Sequence, residues 1–319
     1  MERKISYHIT DEFHNKTIEQ FLKAKEYPHQ AIVQLKRTHE GILKNGVWAY
    51  VNEKLTVGDT LSLHLVEEKT ESSIQPVFVP LDIVYEDEDL LVINKPANMP
   101  IHPSMNHYEG TLANGLLYYF SQQGELFTFR CINRLDRDTS GLTIVAKHLL
   151  SAGILSRQVS KREIRRTYRA ICQGEVPDSG TIDAPIARAH DSTIERCVDF
   201  STGEHAVTHY KRIAYDSQKD LSLVELHLET GRTHQIRVHM KYIGHPIIGD
   251  FLYNPDFRYC NRQALHSYSL TFTHPLLEET CSISTPDKIF SQNNFSSRKK
   301  EMHFASPFPE DLKCIFQDF

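Results

Sequence analysis

Cysteine is scarce in this sequence: six residues are scattered over 319 positions, and no two form a Cys-x-x-Cys pair. That scarcity argues against a disulfide framework and against a cysteine-rich zinc site. The sequence also lacks the run of about 18 to 20 apolar residues that a membrane-spanning helix needs. Its first residues carry no apolar stretch of the kind found in secretory signals. Together these absences predict a cytoplasmic protein with no attachment to a membrane.

The sequence has no excess of positive charge that would by itself indicate a nucleic-acid partner, since its formal net charge is -5. Hydrophobic residues make up 40% and charged residues 24%, which predicts a folded globular chain. Positive charge is nevertheless concentrated between residues 157 and 169, where six basic residues accompany one acid. Such a patch can follow a phosphate backbone, although a charge run is usually a solvated helix face. Charge alone leaves both interpretations open.

The first part of the chain reads as a small separate unit. Short helical spacing of apolar residues appears at 17–22 and 31–36, and strand-like segments follow at 47–52 and 57–66. A polar stretch at 67–75 has the composition of a linker. We therefore predict a small N-terminal α/β unit over residues 1–75 and a larger domain over 76–319.

The larger domain combines short strands with interspersed helices. Candidate strands lie at 89–96, 142–146, 168–173 and 224–229, the last with strict alternation of apolar and polar residues. Strands and helices do not alternate as regular βαβ units, which predicts a mixed α+β fold. The polar stretch at 291–300, inside a candidate insertion over 287–303, is interpreted as a surface insertion.

A helix is predicted after residue 232, with Thr233 as its N-cap and Gly244 at its end. Arg232 and Arg237 then lie at or near its positive end, where cations are disfavoured and anions are favoured. That placement makes sense if a carboxylate or a phosphate lies opposite these arginines.

The segment over residues 134–142 is the strongest candidate for chemistry. It carries four charges in five positions, then small turn residues, then a strand. Reactive side chains are often displayed on such a loop. Taken alone, however, the segment is better explained as a salt-bridged turn, because a fold feature does not establish a function.

Several motifs favour a catalytic loop over a salt-bridged turn. They resemble the motifs of the RluA family of RNA pseudouridine synthases and occur in the same order. Residues 133–142 are similar to the family signature His-Arg-Leu-Asp-x-x-Thr-Ser-Gly-Leu, and further similar segments lie at 81–103, 166–170, 180–186 and 231–250. The N-terminal unit more loosely resembles the αL-type RNA-binding module that is often attached to these enzymes. Three positions depart from the family pattern: Asn133 replaces His, Asn98 replaces Gly and Arg166 replaces Lys.

The resemblance implies an α+β fold with a mixed, mainly antiparallel sheet flanked by helices. It also implies an enzyme that isomerises uridine in RNA to pseudouridine without a metal or another cofactor. Asp136 takes the role of catalytic carboxylate, as carboxylates do in other glycosidic-bond chemistry. Arg237 is expected to keep Asp136 charged, because a guanidinium binds a carboxylate at fixed geometry. Tyr168 resembles the active-site tyrosine, whose ring can stack on uracil and whose hydroxyl can assist proton removal from C5.

RNA binding is expected to involve four arginines. Arg134 resembles the residue that enters the space left by the extruded base. Arg165 and Arg166 belong to the basic run, and Arg232 precedes the predicted helix. We expect ribosomal RNA as the first candidate substrate and transfer RNA as the second. We expect a monomer with no obligate protein partner.

Three other interpretations each fit part of the sequence. A non-catalytic RNA-binding protein would fit the N-terminal unit and the basic run, but it would require Asp136 or its partners to be missing. A glycoside hydrolase would use Asp136 and Asp138 as a carboxylate pair. A metal site would use histidines 234, 239 and 245, but positions 234 and 239 are five apart and do not share a helix face.

Overall fold

The computed structural model of the chain describes residues 2–67, 74–104, 108–279 and 298–316. Its strands, in chain order, are β1 Glu2–His8, β2 Ile42–Lys44, β3 Val47–Trp48, β4 Thr60–Val66, β5 Ile83–Glu86, β6 Leu90–Lys95, β7 Ser140–Ala146, β8 Arg165–Gln173, β9 Ser179–Asp183, β10 Ile186–Arg188, β11 Arg196–Val198, β12 Val207–Asp216, β13 Leu221–Leu228, β14 Leu265–Glu279 and β15 Arg298–Ala305. Its α-helices are α1 Ile18–Ala24, α2 His29–Arg37, α3 Leu112–Gln122, α4 Leu149–Ser160, α5 Gln235–Tyr242 and α6 Glu310–Lys313. Among the described residues, no helix is both long and apolar enough to cross a membrane.

The chain folds into two compact units that interleave along the sequence. The first comprises residues 1–93, 101–134 and 144–159, and the second comprises 94–100, 135–143 and 160–319. The division at residue 75 that the sequence suggested remains a prediction. The expected linker at 67–75 lies mostly outside the described residues.

The first unit begins with an antiparallel sheet of order β1-β4-β2-β3. In β4, alternate residues are buried, which is the pattern of a strand with one face on a core. Helix α1 starts with a capping box, because Thr17 accepts from the backbone N–H of Gln20 and the side chain of Gln20 accepts from the backbone N–H of Thr17. Local sequence therefore explains both elements. The same unit contains β5, the first four residues of β6 and the C-terminal end of β7.

The second unit is built on strands in the order β7-β14-β8-β13-β12-β9, with β15 paired to β14. The β7–β14 pair is parallel, and the other pairs are antiparallel. Ile236 and Met240 of α5 belong to the same buried hydrophobic cluster as Leu223 and Leu226 of β13. This is a mixed, mainly antiparallel α+β architecture, which confirms the predicted fold class.

Two sequence-based interpretations need correction. The predicted helix begins one residue later than expected: His234, with φ 59, is the N-cap residue of α5, and Thr233 is not. Gly244 does follow the end of this helix, with φ 87. Residues 298–300 are not a surface insertion, because they open β15, which pairs with β14. Residues 291–297 of that stretch lie outside the described part of the chain.

Candidate active site

The loop that carries Asp136 is held at both ends within the second unit. Leu135 is buried in the hydrophobic cluster. Farther along, the amide of Gln263 donates to Thr139 Oγ1 at 2.8 Å, and Ser140 Oγ lies 2.9 Å from Nδ1 of His266. Both anchors are buried. The loop therefore presents Asp136 from a fixed frame.

Gly141 in the same loop is required by close packing as well as by its backbone angle. Its φ is 106, and a Cβ built on it would lie 2.2 Å from the carbonyl oxygen of Ser267 on β14. Any other residue would push β7 and β14 apart at the point where they pair. The small residue in the Thr-Ser-Gly segment thus lets the loop approach the neighbouring strand.

A buried lysine supports the loop from the other side. The ammonium of Lys95 donates to the carbonyls of Pro96, Met99 and Arg137 at 2.8, 3.0 and 2.9 Å. Its side chain is fully buried. Asn98, in the turn between these carbonyls, has φ 58, a left-handed conformation that glycine adopts freely and asparagine tolerates. This explains how asparagine can occupy a position where the family usually has glycine.

Arg237 joins two carboxylates. Its Nη1 donates to Asp136 Oδ2 at 2.9 Å, while its Nε and Nη2 donate to the two oxygens of Asp250 at 2.6 and 2.8 Å. The side chains of Arg237 and Asp250 are 2% and 0% exposed, but that of Asp136 is 28% exposed. The arginine is therefore fixed from behind by a buried acid and extends toward the accessible one.

Charge explains why Arg237 can be buried. Burial alone disfavours the cation, but the hydrogen bonds and charges of Asp250 and Asp136 outweigh it and raise the pKa of Arg237. Asp250 also accepts the backbone N–H groups of Leu252 and Tyr253 at 3.0 and 3.1 Å. The carboxylate that holds the arginine is thus itself held by the backbone.

Two aromatic rings lie beside this chain of charges. The guanidinium carbon of Arg237 is 4.9 Å from the ring centroid of Tyr253, within cation–π range. The hydroxyl of Tyr253 lies 2.9 Å from Nδ1 of His234, whose Nε2 is 4.0 Å from Asp136 Oδ2. Burial lowers the pKa of His234 in spite of the nearby carboxylate, so the imidazole is neutral at pH 7.

Tyr168 lies on β8, opposite Ser267 of β14 and Leu226 of β13. It is 4% exposed and belongs to the hydrophobic cluster. Burial raises its pKa; Arg166 opposes that shift and the charge of Asp136 adds to it. The phenol is therefore protonated at neutral pH. The structure thus places Tyr168 in the core and within electrostatic range of Asp136.

The remaining predicted residues lie in different surroundings. Arg165 donates to Glu301 at 2.7 Å, and Arg232 pairs with Glu204; both arginines are exposed. Arg166 is partly buried, and its Nε has no hydrogen-bond partner among the described residues. Arg134 is exposed and belongs to the first unit.

The three histidines considered for a metal each contact a protein group. His239 is fully buried between Thr208 Oγ1 and the carbonyl of Ala184, at 2.8 and 2.9 Å. His245 contacts the carbonyl of Gln173 at 3.0 Å. These contacts account for both side chains as structural groups.

Asp250 is a site residue that sequence reasoning missed. Asp250 lies within the family-like segment 231–250, but the motif alone does not indicate what it does. The arginines near the start of α5 do predict a carboxylate opposite them. The useful signal is an apolar segment that ends in an acid shortly after the helix. Both Asp136 and Asp250 pair with Arg237, but the sequence-based prediction included only Asp136.

Comparison with known proteins first defines the class. A family model described as RNA pseudouridylate synthase matches residues 89–242. An uncharacterized RNA pseudouridine synthase of Bacillus subtilis, YjbO, is 45% identical over 86% of this chain and 88% of its own length. Ribosomal large subunit pseudouridine synthase D of Escherichia coli O6:H1 is 37% identical over 74% of this chain and 76% of its own length.

A solved structure agrees with these relatives. Human RNA pseudouridylate synthase domain containing 1 has a TM-score of 0.55 and 26% identity, covering 77% of this chain and 89% of its own. The chain belongs to the RluA family of RNA pseudouridine synthases. It is therefore an isomerase that acts on RNA, and the alternatives of a non-catalytic binding protein and a glycoside hydrolase fall away.

Proposed function

We propose that Asp136 is the catalytic carboxylate of this synthase and that Arg237, fixed by Asp250, binds and orients it. The observation that carries the proposal is the continuous chain from buried Asp250 through Arg237 to accessible Asp136. Arg237 engages Oδ2 of Asp136, whose side chain is 28% exposed. One oxygen is thus anchored while the other can meet a substrate.

The reaction breaks the bond between ribose C1′ and uracil N1 and forms a bond between C1′ and C5. The C5 proton is lost and N1 gains one, so the product is an isomer and no oxidant or energy source is needed. A carboxylate can serve either by attacking C1′ or by removing the C2′ proton. The Asp136–Arg237 geometry suits both routes. Each route needs an ionised carboxylate in a site that the bound uracil shields from solvent.

Tyr168 is the proposed partner in the proton transfers. Because its pKa is raised, the phenol is protonated at neutral pH and is not already available as a phenolate base. If its oxygen accepts the C5 proton, it must pass its own proton on in the same step. Arg166 is proposed to contact the substrate, because it lies beside Tyr168 with a buried Nε that has no partner among the described residues.

We further propose that the substrate is ribosomal RNA, with transfer RNA as the second candidate. The name of the Escherichia coli relative refers to the large ribosomal subunit. Residues 1–75 are proposed to bind RNA as an αL-type module, with Arg134, Arg165 and Arg232 as further RNA contacts. The enzyme is proposed to act in the cytoplasm as a monomer, because the site within the second unit takes Asp136, Arg237 and Asp250 from one chain.

The test is to map pseudouridines in RNA from cells with the gene, without it, and with Asp136→Asn. We expect one or a few uridines to lose modification in both altered strains. Asp138→Asn is the matched control, because this neighbouring acid is ion-paired with Arg137 and should be dispensable for chemistry. An unchanged pseudouridine map in the deletion strain would refute the function, and activity that persists in Asp136→Asn would refute the assigned role.

A further inference from the structure

Three aromatic rings meet at the open edge of the N-terminal sheet. Trp48 lies on β3, the edge strand of the order β1-β4-β2-β3, and Tyr50 follows two residues later. The centroids of these two rings are 6.2 Å apart with an interplanar angle of 23°. His39, just after α2, lies 5.7 Å from Trp48. We call these three residues the edge aromatic cluster.

The edge aromatic cluster is unusually exposed. Trp48 is 52% exposed, and Tyr50 is 70% exposed, as is the adjoining Val47. Single exposed apolar residues are ordinary on a protein surface, but a contiguous group is typical of a binding site. Trp48 is also the single tryptophan of the chain. A large ring left in solvent on an edge strand contributes little to the core of its unit, which favours a role in binding.

The charges around the cluster favour a polyanion. Along residues 36–54 the chain carries four cations and two carboxylates. Lys36 and Arg37 close α2 just before His39, and both are exposed. Lys44 lies in the hairpin strand next to Trp48. Aromatic rings combined with cations are the usual elements of a surface that stacks unpaired bases and follows their backbone.

We propose that the edge aromatic cluster stacks unpaired bases of the RNA that this enzyme binds. The inference rests on the proposed role of residues 1–75 in RNA binding and adds the kind of nucleotide recognised. Trp48 and Tyr50 are nearly parallel, so a base stacked on one ring finds the second in a similar orientation. Stacking is tolerant of sequence because every base has a π-face. Duplex RNA keeps its bases covered, so the cluster selects single strands.

The single tryptophan makes the test direct. Full-length protein is titrated with single-stranded oligoadenylate, which contains no uridine and cannot be a substrate, and with the same strand paired to oligodeoxythymidylate, which also contains no uridine. We expect the single strand to quench the fluorescence of Trp48 and the duplex to leave it largely unchanged. Tyr50→Ala keeps the fluorophore and should weaken binding of the single strand about tenfold.

Tyr108→Ala is the matched control, since Tyr108 is also 70% exposed; its affinity should equal that of the unaltered protein. Emission that no RNA changes, or equal affinities for Tyr50→Ala and Tyr108→Ala, would overturn the proposal. Uridine conversion is measured in parallel on cellular RNA. Conversion without quenching refutes the stacking surface alone, whereas quenching without conversion supports it and refutes the catalytic proposal.

Discussion

Replacing Asp250 by asparagine should damage both the stability and the activity of the enzyme, although Asp250 is not the catalytic group. Its carboxylate is fully buried and receives two hydrogen bonds from Arg237 and two from backbone N–H groups. An asparagine of the same shape has one acceptor oxygen and an amide that faces the guanidinium with like-signed hydrogens. Of the two acids that contact Arg237, only Asp136 would then remain to pair with the buried guanidinium.

The magnitude follows from the burial. Removing one member of a buried ion pair costs about 3 to 5 kcal/mol when the remaining charge is left without compensation. Arg237 keeps its contact with Asp136, so the loss for Asp250→Asn should lie toward about 3 kcal/mol. A protein of this kind is stable by roughly 5 to 15 kcal/mol, so the variant should fold with a clearly lower unfolding midpoint. Asp136→Asn should cost less stability, because its side chain is 28% exposed and water can replace the lost contact.

The assay compares urea unfolding and pseudouridine formation, the latter by nucleoside chromatography of digested RNA, for Asp250→Asn and Asp136→Asn. We expect loss of activity in both variants but a large loss of stability only in Asp250→Asn. Equal unfolding midpoints for the two variants would refute the argument that buried Asp250 fixes Arg237. Full activity in Asp250→Asn would show that the orientation of Arg237 does not matter for catalysis.

Other predictions address the loop, the tyrosine and a buried histidine. Tyr168→Phe should lower kcat by roughly 10²- to 10⁴-fold with a loss of stability of only about 1 kcal/mol, and an unchanged kcat would exclude its hydroxyl from proton transfer. Gly141→Ala should lower the Tm of the protein far more than Gly46→Ala. Both glycines have positive φ, but of the two only Gly141 would place a Cβ against neighbouring backbone. Similar Tm values for the two variants would contradict this. Burial lowers the pKa of His266 to about 4, so the unfolded chain binds more protons and stability falls as pH drops from about 6.5 toward 4. This group should account for about 2 kcal/mol of lost stability between pH 8 and pH 5, and unfolding of His266→Gln should show a correspondingly weaker pH dependence.

Much of the local structure follows from the sequence. The Thr17–Gln20 capping box starts α1 where the apolar spacing indicates a helix, and alternation correctly predicts the strand that ends at Leu228. Both signals act between residues close in sequence, so no knowledge of the fold is needed. The family motifs also carry over directly, and the relatives confirm the family that they indicate.

Other features depend on contacts that no local pattern contains. His234 takes a left-handed conformation at the start of α5, beside Tyr253, although Thr233 is the better N-cap by residue type. The need for glycine at position 141 comes from the backbone of Ser267 on β14, far away in sequence. In each case a tertiary neighbour overrides or explains the local preference.

The active-site ion pairs show the division most clearly. The amino-acid sequence alone indicates the residue types, the motif order and the need for an anion near the arginines at the start of α5. Only the folded chain shows that Arg237 contacts two carboxylates, 101 residues before it and 13 after it, and that of these two Asp136 stays accessible. Hydrogen bonds between distant residues depend on strand order and burial, and both arise only when the whole unit packs.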